Sequence, residues 1–444
     1  MKHVVIIGNG IAGITAARHI RKQSDYEITV ISAESEYFWS RTALMYIYMG
    51  HMQLKHTQPY ENWFWEKNKI NLVKEYVQAI DHVNKTLTYS SGGSINYDVL
   101  ILATGAQPNK FGWPGQDLEG VSGMVSQQDL EYIEKYTQGI DRGVIVGGGL
   151  IGVELAEMLH SRDIKVSFLV REEQFWDNVL PKQEATLISN HIREHHIDLR
   201  LQTELKEIIP DENGRVKSVI TGDGKEIPCQ FVGLTAGVHP NINLAKASGI
   251  ECNRGVLVNE FMETSIPDIY AIGDCAERRT PVPGRAPVEQ VWYTGRMMGE
   301  TVAKTITGTK TEYLPGHWFN SAKFFDIEYQ TYGRVWNQLR DNEAEFYWQH
   351  NSENVAMHFI YDKHNHKFLG VNTFGIRLRH EIFDRWLTEE ATIQTVLENL
   401  RSANFDPEFF KRYEQSIINA YNNEHPDQQL TLKGKKSIIE KIFG

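Results

Sequence analysis

Val4-Val5-Ile6-Ile7 runs directly into Gly8, Gly10 and Gly13, and no other stretch narrows the possible folds so far. Four β-branched apolar residues in a row suit a parallel strand buried on both faces. The G-x-G-x-x-G spacing lets the backbone turn tightly and approach a pyrophosphate. Ile14 to Ile20 reads as the helix that follows. Its free N–H groups and positive dipole end would face the phosphates. An acid is expected about 20 residues on, at the tip of the second strand, to hold a ribose hydroxyl. Tyr26 to Ile31 reads as that strand and Glu34 as that acid.

The pattern occurs twice. Val144-Ile145-Val146 precedes Gly147, Gly149 and Gly152, Ile151 to His160 reads as a helix, and Lys165 to Val170 reads as the next strand. One such element serves any nucleotide, whereas two point to two dinucleotides held facing each other. At the second tip, Glu172 suits a ribose 2′-hydroxyl and Arg171 a 2′-phosphate, and the choice stays open.

Other segments fit around these loops. Ser35 to Gly50 is rich in Tyr, Trp and Met and holds one cation, Arg41, either near cofactor phosphates or in a core-covering loop and helix. Ile70 to Asp81 reads as one strand. Tyr97 to Ala106 is a buried strand ending in Thr104-Gly105, where a backbone can pass close to a ligand. Phe231 to Asn241 ends in Gly237. Ile269 to Ile272 ends at Gly273-Asp274, whose carboxylate can accept from a sugar-like hydroxyl or cap a helix. Pro287 to Lys304 reads as a long helix in which Gly295 and Gly299 permit close packing.

Composition sets limits. A chain of 444 residues suggests two or three domains, and 41% apolar content can fill their cores. A net charge of −11 argues against nucleic acid and against a broadly basic membrane-binding face. Cys229, Cys252 and Cys275 show no C-x-x-C or zinc spacing. His364, Asn365 and His366 fall in a hairpin turn without a matching third ligand, so no metal site is expected. The N-terminal apolar run is short and enters a glycine loop, unlike a signal peptide. Val144 to Leu159 comes nearest to a membrane span, but glycines, Glu154 and Glu157 interrupt it. A cytoplasmic protein is expected.

The order GxGxxG, YDVLILATGA (97–106), GGGLIGVELAE (147–157) and TSIPDIYAIGDCA (264–276) resembles the FAD-dependent pyridine nucleotide-disulfide oxidoreductases of the glutathione-reductase type. The resemblance covers residues 1 to about 335. Trp318 to Gly333 resembles, more loosely, the C-terminal domain of ferredoxin and rubredoxin reductases and apoptosis-inducing factor. The implied fold is α/β: two Rossmann-like dinucleotide-binding domains, each a three-layer ββα sandwich, plus a C-terminal α+β domain. The implied division is an FAD domain at 1–111 and 241–315, an NAD(P)H domain at 112–240, and an interface domain with a helical tail at 316–444. By the same resemblance, FAD is held by Gly8, Gly10, Gly13, Glu34, Arg41, Val77, Thr104, Gly105 and Asp274, with Glu289 and Gln290 at the flavin. NAD(P)H is held by Gly147, Gly149, Gly152, Gly237, Arg171 and Glu172.

Disulfide reductases of this kind carry redox cysteines on the helix after the second strand. Arg41-Thr42-Ala43-Leu44-Met45-Tyr46 stands there instead, and no cysteine precedes Cys229. Glu154 matches the catalytic glutamate of relatives that pair it with a lysine, but Tyr46 occupies the lysine's place. The implied function is hydride transfer from NAD(P)H to FAD, with electrons passed to an external redox protein or small molecule and no thiol relay. A homodimer is compatible with the resemblance. Other readings are a type II NADH:quinone reductase at a membrane surface, or a flavoprotein like apoptosis-inducing factor with a signalling or scaffold role. Lys433 to Gly444 pairs lysines with Ile438, Ile439, Ile442 and Phe443, and reads as a helix packed on its own domain in preference to one lying on a membrane.

Overall fold

His3–Ile7 forms the buried strand that its sequence predicts, at the centre of a five-stranded parallel sheet. The structure is a computed structural model describing residues 2–405 and 411–433. The sheet runs Ile269–Ala271, Val99–Leu102, His3–Ile7, Glu27–Ser32, Ile70–Lys74. From the central strand the chain passes to Glu27–Ser32 on one side and later to Val99–Leu102 on the other. That reversal opens a crevice at the carboxyl end of His3–Ile7. Val4, Val5 and Ile6 are fully buried, and each such side chain contributes about 1.5–3 kcal/mol.

The helix Ile11–Gln23 buries Ala12, Ala16, Ala17 and Ile20. It packs on the helix Trp292–Ile306, where a Cβ on Gly299 would lie 2.6 Å from the Ala12 carbonyl. The close approach expected of Gly299 is therefore real. That second helix starts later than its sequence suggests. Val291 is still extended, and Glu289 before it is in a buried ion pair with Arg285 at 2.5 Å. The expected single strand from Ile70 to Asp81 is two strands in two sheets. Ile70–Lys74 continues the parallel sheet, while Val77–Asp81 pairs antiparallel with Thr86–Tyr89.

A second parallel array runs Lys165–Leu169, Arg142–Val146, Phe231–Leu234, Val121–Ser122, with the helix Leu150–His160 following its glycine loop. Two compact units emerge. One comprises the chain up to Arg171 with Thr203–Pro315, and the other Glu172–Gln202 with Gly316 onward.

The second unit is built on an antiparallel sheet in the order Phe319–Phe324, Ile327–Gly333, Phe368–Phe374, Ala356–Asp362, Glu343–Gln349. Glu343–Gln349, Ala356–Asp362 and Phe368–Phe374 form an antiparallel meander, and the helix His380–Thr388 follows. His364 and Asn365 are exposed in the turn, where Asp362 accepts from both backbone N–H groups. A buried polar cluster lies on the sheet. His358 Nδ1 is 2.8 Å from Glu184 and its Nε2 is 3.0 Å from Glu345. Burial opposes its charge, but these two hydrogen bonds outweigh burial and hold it at about 9. The helix Glu414–Glu424 packs on the helix Ile393–Glu398. Beyond Lys433, the basic tail lies outside the described residues. Among the described residues, no helix is long and apolar enough to cross a membrane.

Candidate functional site

Strand ends converge on the first glycine loop. Gly8 N–H donates to the Ile31 carbonyl at 2.8 Å, Ala103 N–H to Ile7, and Ile272 N–H to Leu102. The loop, Glu34, Thr104-Gly105 and Gly273-Asp274 thus share one sheet edge. Its three glycines have different duties. Gly8 has φ +115°, and a Cβ there would collide with the Ala103 carbonyl. A Cβ on Gly13 would collide with the Gly8 carbonyl. A Cβ on Gly10 would meet nothing within 4 Å. Gly10 is also the N-cap of Ile11–Gln23, with no side chain capping it and no acid in the first turn. The outer glycines close the loop and the middle one leaves its backbone open, as an approaching pyrophosphate requires.

Arg41 crosses this edge. It forms a bidentate pair with Glu34, at 3.0 Å to Oε1 and 2.5 Å to Oε2, and donates to the Val125 carbonyl. Glu34 also accepts from Gln127 N–H at 2.9 Å, and its backbone carbonyl accepts from Gln128. Gln127 and Gln128 lie more than ninety residues away in sequence, so no local signal marks them. Asp274 lies inside the 3-10 turn Gly273–Cys275 and caps no long helix, which removes the capping alternative. Burial pushes its carboxyl up to about 6, while the Arg41 charge pulls it down.

Thr104 Oγ1 donates to the Asn241 carbonyl at 2.7 Å, and Asn241 N–H donates to Gly105 at 2.9 Å. Gly105, at φ +72°, has open space where a Cβ would stand. Val77 is buried at the start of its strand. Glu289 is buried between Arg285 and Arg278, with Arg278 at 3.7 Å, so its carboxylate is satisfied within the protein. Gln290 Nε2 is buried without a hydrogen-bond partner. An orphaned amide costs about 1–3 kcal/mol unless a ligand meets it.

The second loop repeats the first. Gly147, at φ +117°, would drive a Cβ to 2.6 Å from the Thr235 carbonyl. A Cβ on Gly152 would strike the Gly147 carbonyl and approach Phe168 at 2.8 Å, whereas Gly149 has open space. Thr235 Oγ1 donates to the Val146 carbonyl at 3.0 Å. Gly237, at φ +84°, is held by Asn109, whose N–H donates to it at 3.0 Å and whose amide donates to Ala236. Asn109 escaped the sequence reading, because a single asparagine 127 residues distant has no motif. Arg171 is exposed just past the end of Lys165–Leu169, and the partly buried Glu172 follows it. Glu154 lies partly buried on Leu150–His160, and the short helix Leu44–Tyr48, with Tyr46, packs against that helix.

Burial raises all three thiols, Cys229, Cys275 and Cys252. Cys229 is pushed up to about 12 by burial, against a weaker pull from Arg142.

Residues 2–299 match the family described as pyridine nucleotide-disulphide oxidoreductase. The NAD(P)H nitrite reductase of Bacillus subtilis is 32% identical over 320 residues, which is 71% of this chain and 38% of that protein. The chain therefore matches well under half of that relative's length. The NADH oxidase of Methanocaldococcus jannaschii is 33% identical over 339 residues, 73% of this chain and 74% of that protein. Among solved structures, the ferredoxin reductase for the CYP199A2 system of Rhodopseudomonas palustris superposes with a TM-score of 0.77 at 24% identity, covering 84% of this chain and 91% of that one. That likeness concerns the fold: two parallel sheets followed by an antiparallel C-terminal sheet.

Proposed function

The chain belongs to the pyridine nucleotide-disulphide oxidoreductase family, whose enzymes use NAD(P)H, and we propose that it is an FAD-dependent NAD(P)H oxidoreductase delivering electrons to an external acceptor without a redox disulfide. One observation carries this reading: two glycine loops, each closed by its outer glycines and open at its middle one, end two parallel sheets of one chain. FAD, when bound, supplies the step between two-electron hydride chemistry and the acceptor. Residues 1–111 and 241–315 hold it, residues 112–240 hold NAD(P)H, and residues 316–444 form an interface domain. A homodimer through that domain and a cytoplasmic setting belong to the same proposal.

The protein's own part is binding and orientation. Gly8, Gly10 and Gly13 present helix N–H groups to the first pyrophosphate, and Gly147, Gly149 and Gly152 do so for the second. Arg41 neutralises phosphate charge while its pairing with Glu34 orients the carboxylate toward a ribose. Thr104, Gly105 and Val77 would line the FAD. The Gln290 amide donates to the bound flavin and so gains the partner it lacks. Glu154, on the helix after the second loop, is the residue that would face the nicotinamide.

Asp274 accepts from the ribityl hydroxyls. Asp274→Ala should weaken FAD retention roughly tenfold or more, the equivalent of about 1.5–3 kcal/mol for a hydrogen bond to a charged group. Flavin absorbance after extensive dialysis measures this, and full saturation in the variant would remove Asp274 from the site.

The reaction itself is tested by supplying NADH or NADPH with a ferredoxin, a quinone, a dye or oxygen alone. NAD(P)H oxidation should be slow with oxygen and rise many-fold with one of the added acceptors. A rate with oxygen that no acceptor increases would replace this reading with that of an oxidase.

A further inference from the structure

The second unit holds a cluster that dinucleotide chemistry does not use. His191 is on the helix Lys182–Glu194, and His195 is its C-cap residue. At i and i+4 the two imidazoles share one helix face. Asp326 stands opposite, in the two-residue turn joining Phe319–Phe324 to Ile327–Gly333. Its Oδ1 is 2.7 Å from His191 Nε2 and 3.4 Å from His195 Nε2, and one ligand atom from each of the three residues lies within 4.8 Å of the others. We propose that His191, His195 and Asp326 bind a divalent transition metal of the zinc class, which pins the hairpin turn to the helix.

The distances suit such an ion. Bonds of about 2.0–2.1 Å in a tetrahedral site put neighbouring ligand atoms roughly 3.3 Å apart. The His195–Asp326 separation already matches. The His191–Asp326 separation must open by roughly 0.6 Å, and Asp326, with its side chain 76% exposed, is free to give that much.

His191 is set for ligation. Its side chain is 4% exposed, yet Nε2 has no aligned hydrogen bond despite the carboxylate at 2.7 Å. The opposite nitrogen, Nδ1, lies 3.3 Å from Glu194 Oε2, which also accepts from the Asn354 amide at 3.0 Å. That amide nitrogen is itself 3.0 Å from Nδ1. In the tautomer that ligates, Nδ1–H donates to Glu194 Oε2, the Asn354 amide turns its N–H to Glu194 alone, and the buried Nε2 lone pair faces Asp326. This is the carboxylate–histidine–metal relay that fixes a ligand's tautomer and orientation.

The turn adds a separate observation. Phe325 is at φ +55°, a left-handed conformation that costs a bulky residue energy and is kept only where the surroundings enforce it. Its ring stacks on His195 at 4.3 Å and 26°. One strained residue thus fixes both the His195 ring and the position of Asp326. Two imidazoles and one carboxylate suit zinc, cobalt, nickel or copper. Calcium and magnesium require oxygen-rich shells and are excluded by this donor set. Water completes the coordination on the exposed side.

The test uses untagged, full-length, flavin-loaded protein stripped with chelator and titrated with Co2+, then with Zn2+ against a chromophoric chelator. One Zn2+ per chain should bind at micromolar or lower concentration. His195→Gln and Asp326→Asn should each weaken binding at least tenfold, and Glu194→Gln by a similar factor. Zn2+ should raise the thermal midpoint of the parent and leave those of His195→Gln and Asp326→Asn unmoved. Both changes are at partly or fully exposed positions, and unchanged circular dichroism and flavin content would show that these variants are folded. The chain has 17 histidines, so binding that survives both substitutions would place the metal elsewhere and overturn the site. Absence of tight binding in the parent would overturn it equally.

Discussion

Gly149→Val should fold, retain FAD, and lose NAD(P)H oxidation by on the order of 100-fold or more. The fold tolerates the change because a Cβ on Gly149 meets no atom within 4 Å. Its φ of −123° is open to any residue. A branched side chain there would fill the space a pyrophosphate must enter, and displacement of a bound reactant by about 1 Å already costs about 10²-fold. The FAD loop at Gly8 belongs to another sheet and is untouched. Flavin content and stopped-flow reduction by NADH and NADPH measure the two halves of this expectation. Loss of flavin with unchanged nucleotide affinity would exchange the two sites.

Gly152→Val, three residues further on, should instead damage the fold. Its Cβ would strike the Gly147 carbonyl and crowd Phe168 and Thr235, at 2.8 and 2.9 Å. Backbone cannot move aside as a flexible side chain would. Overpacking of this kind costs about 1–3 kcal/mol and more when no rotamer relieves it. Against a total stability of about 5–15 kcal/mol, that is a large share. The urea midpoint should fall clearly below that of Gly149→Val. Equal midpoints for the two variants would refute the division of labour between middle and closing glycines.

That division explains what could be read in the sequence. A glycine loop is a local object, with strand, turn and helix inside twenty residues, and both copies stand where their motifs place them. The buried runs Val99–Leu102 and Phe231–Leu234 were legible for the same reason, since a parallel strand covered on both faces is apolar throughout. Long-range polar partners were not legible. Arg41 was expected near phosphates, but its bidentate pairing with Glu34, and the Gln127 N–H on that carboxylate, depend on chain paths that no local pattern encodes. The helix starts at Trp292 and not near Pro287, with Val291 extended before it and Glu289 in a buried pair with Arg285, which no local pattern encodes. Ile70 to Asp81 looked continuous because strand residues flank the break on both sides. Only the backbone shows Glu75 N–H turning to Ser32 and Val77 pairing with Tyr89.

The cluster at His191 shows the same limit. The i, i+4 histidine pair was present in the sequence, but its carboxylate is supplied by a turn 131 residues after His195, so no ligand spacing could be read. Glu154 is intermediate. Its helix and its neighbour, the Leu44–Tyr48 helix, are where the motif puts them. Tyr46 gives that neighbourhood a phenol.

In the proposed reaction, electrons leave the flavin for an external acceptor and never pass through sulfur. Cys229 and Cys275 are buried, Cys252 is partly buried, and burial raises all three thiols. Cys275 donates to the Ile272 carbonyl at 3.3 Å, the behaviour of a packed thiol. Anaerobic titration of the flavoprotein with NAD(P)H tests this directly. Reduction should be complete at one equivalent per FAD, with no long-wavelength thiolate-to-flavin band, and should be unchanged when all three cysteines are replaced by serine. A reproducible endpoint of two equivalents per FAD, abolished by serine at any one of Cys229, Cys252 or Cys275, would contradict the account and restore a thiol mechanism.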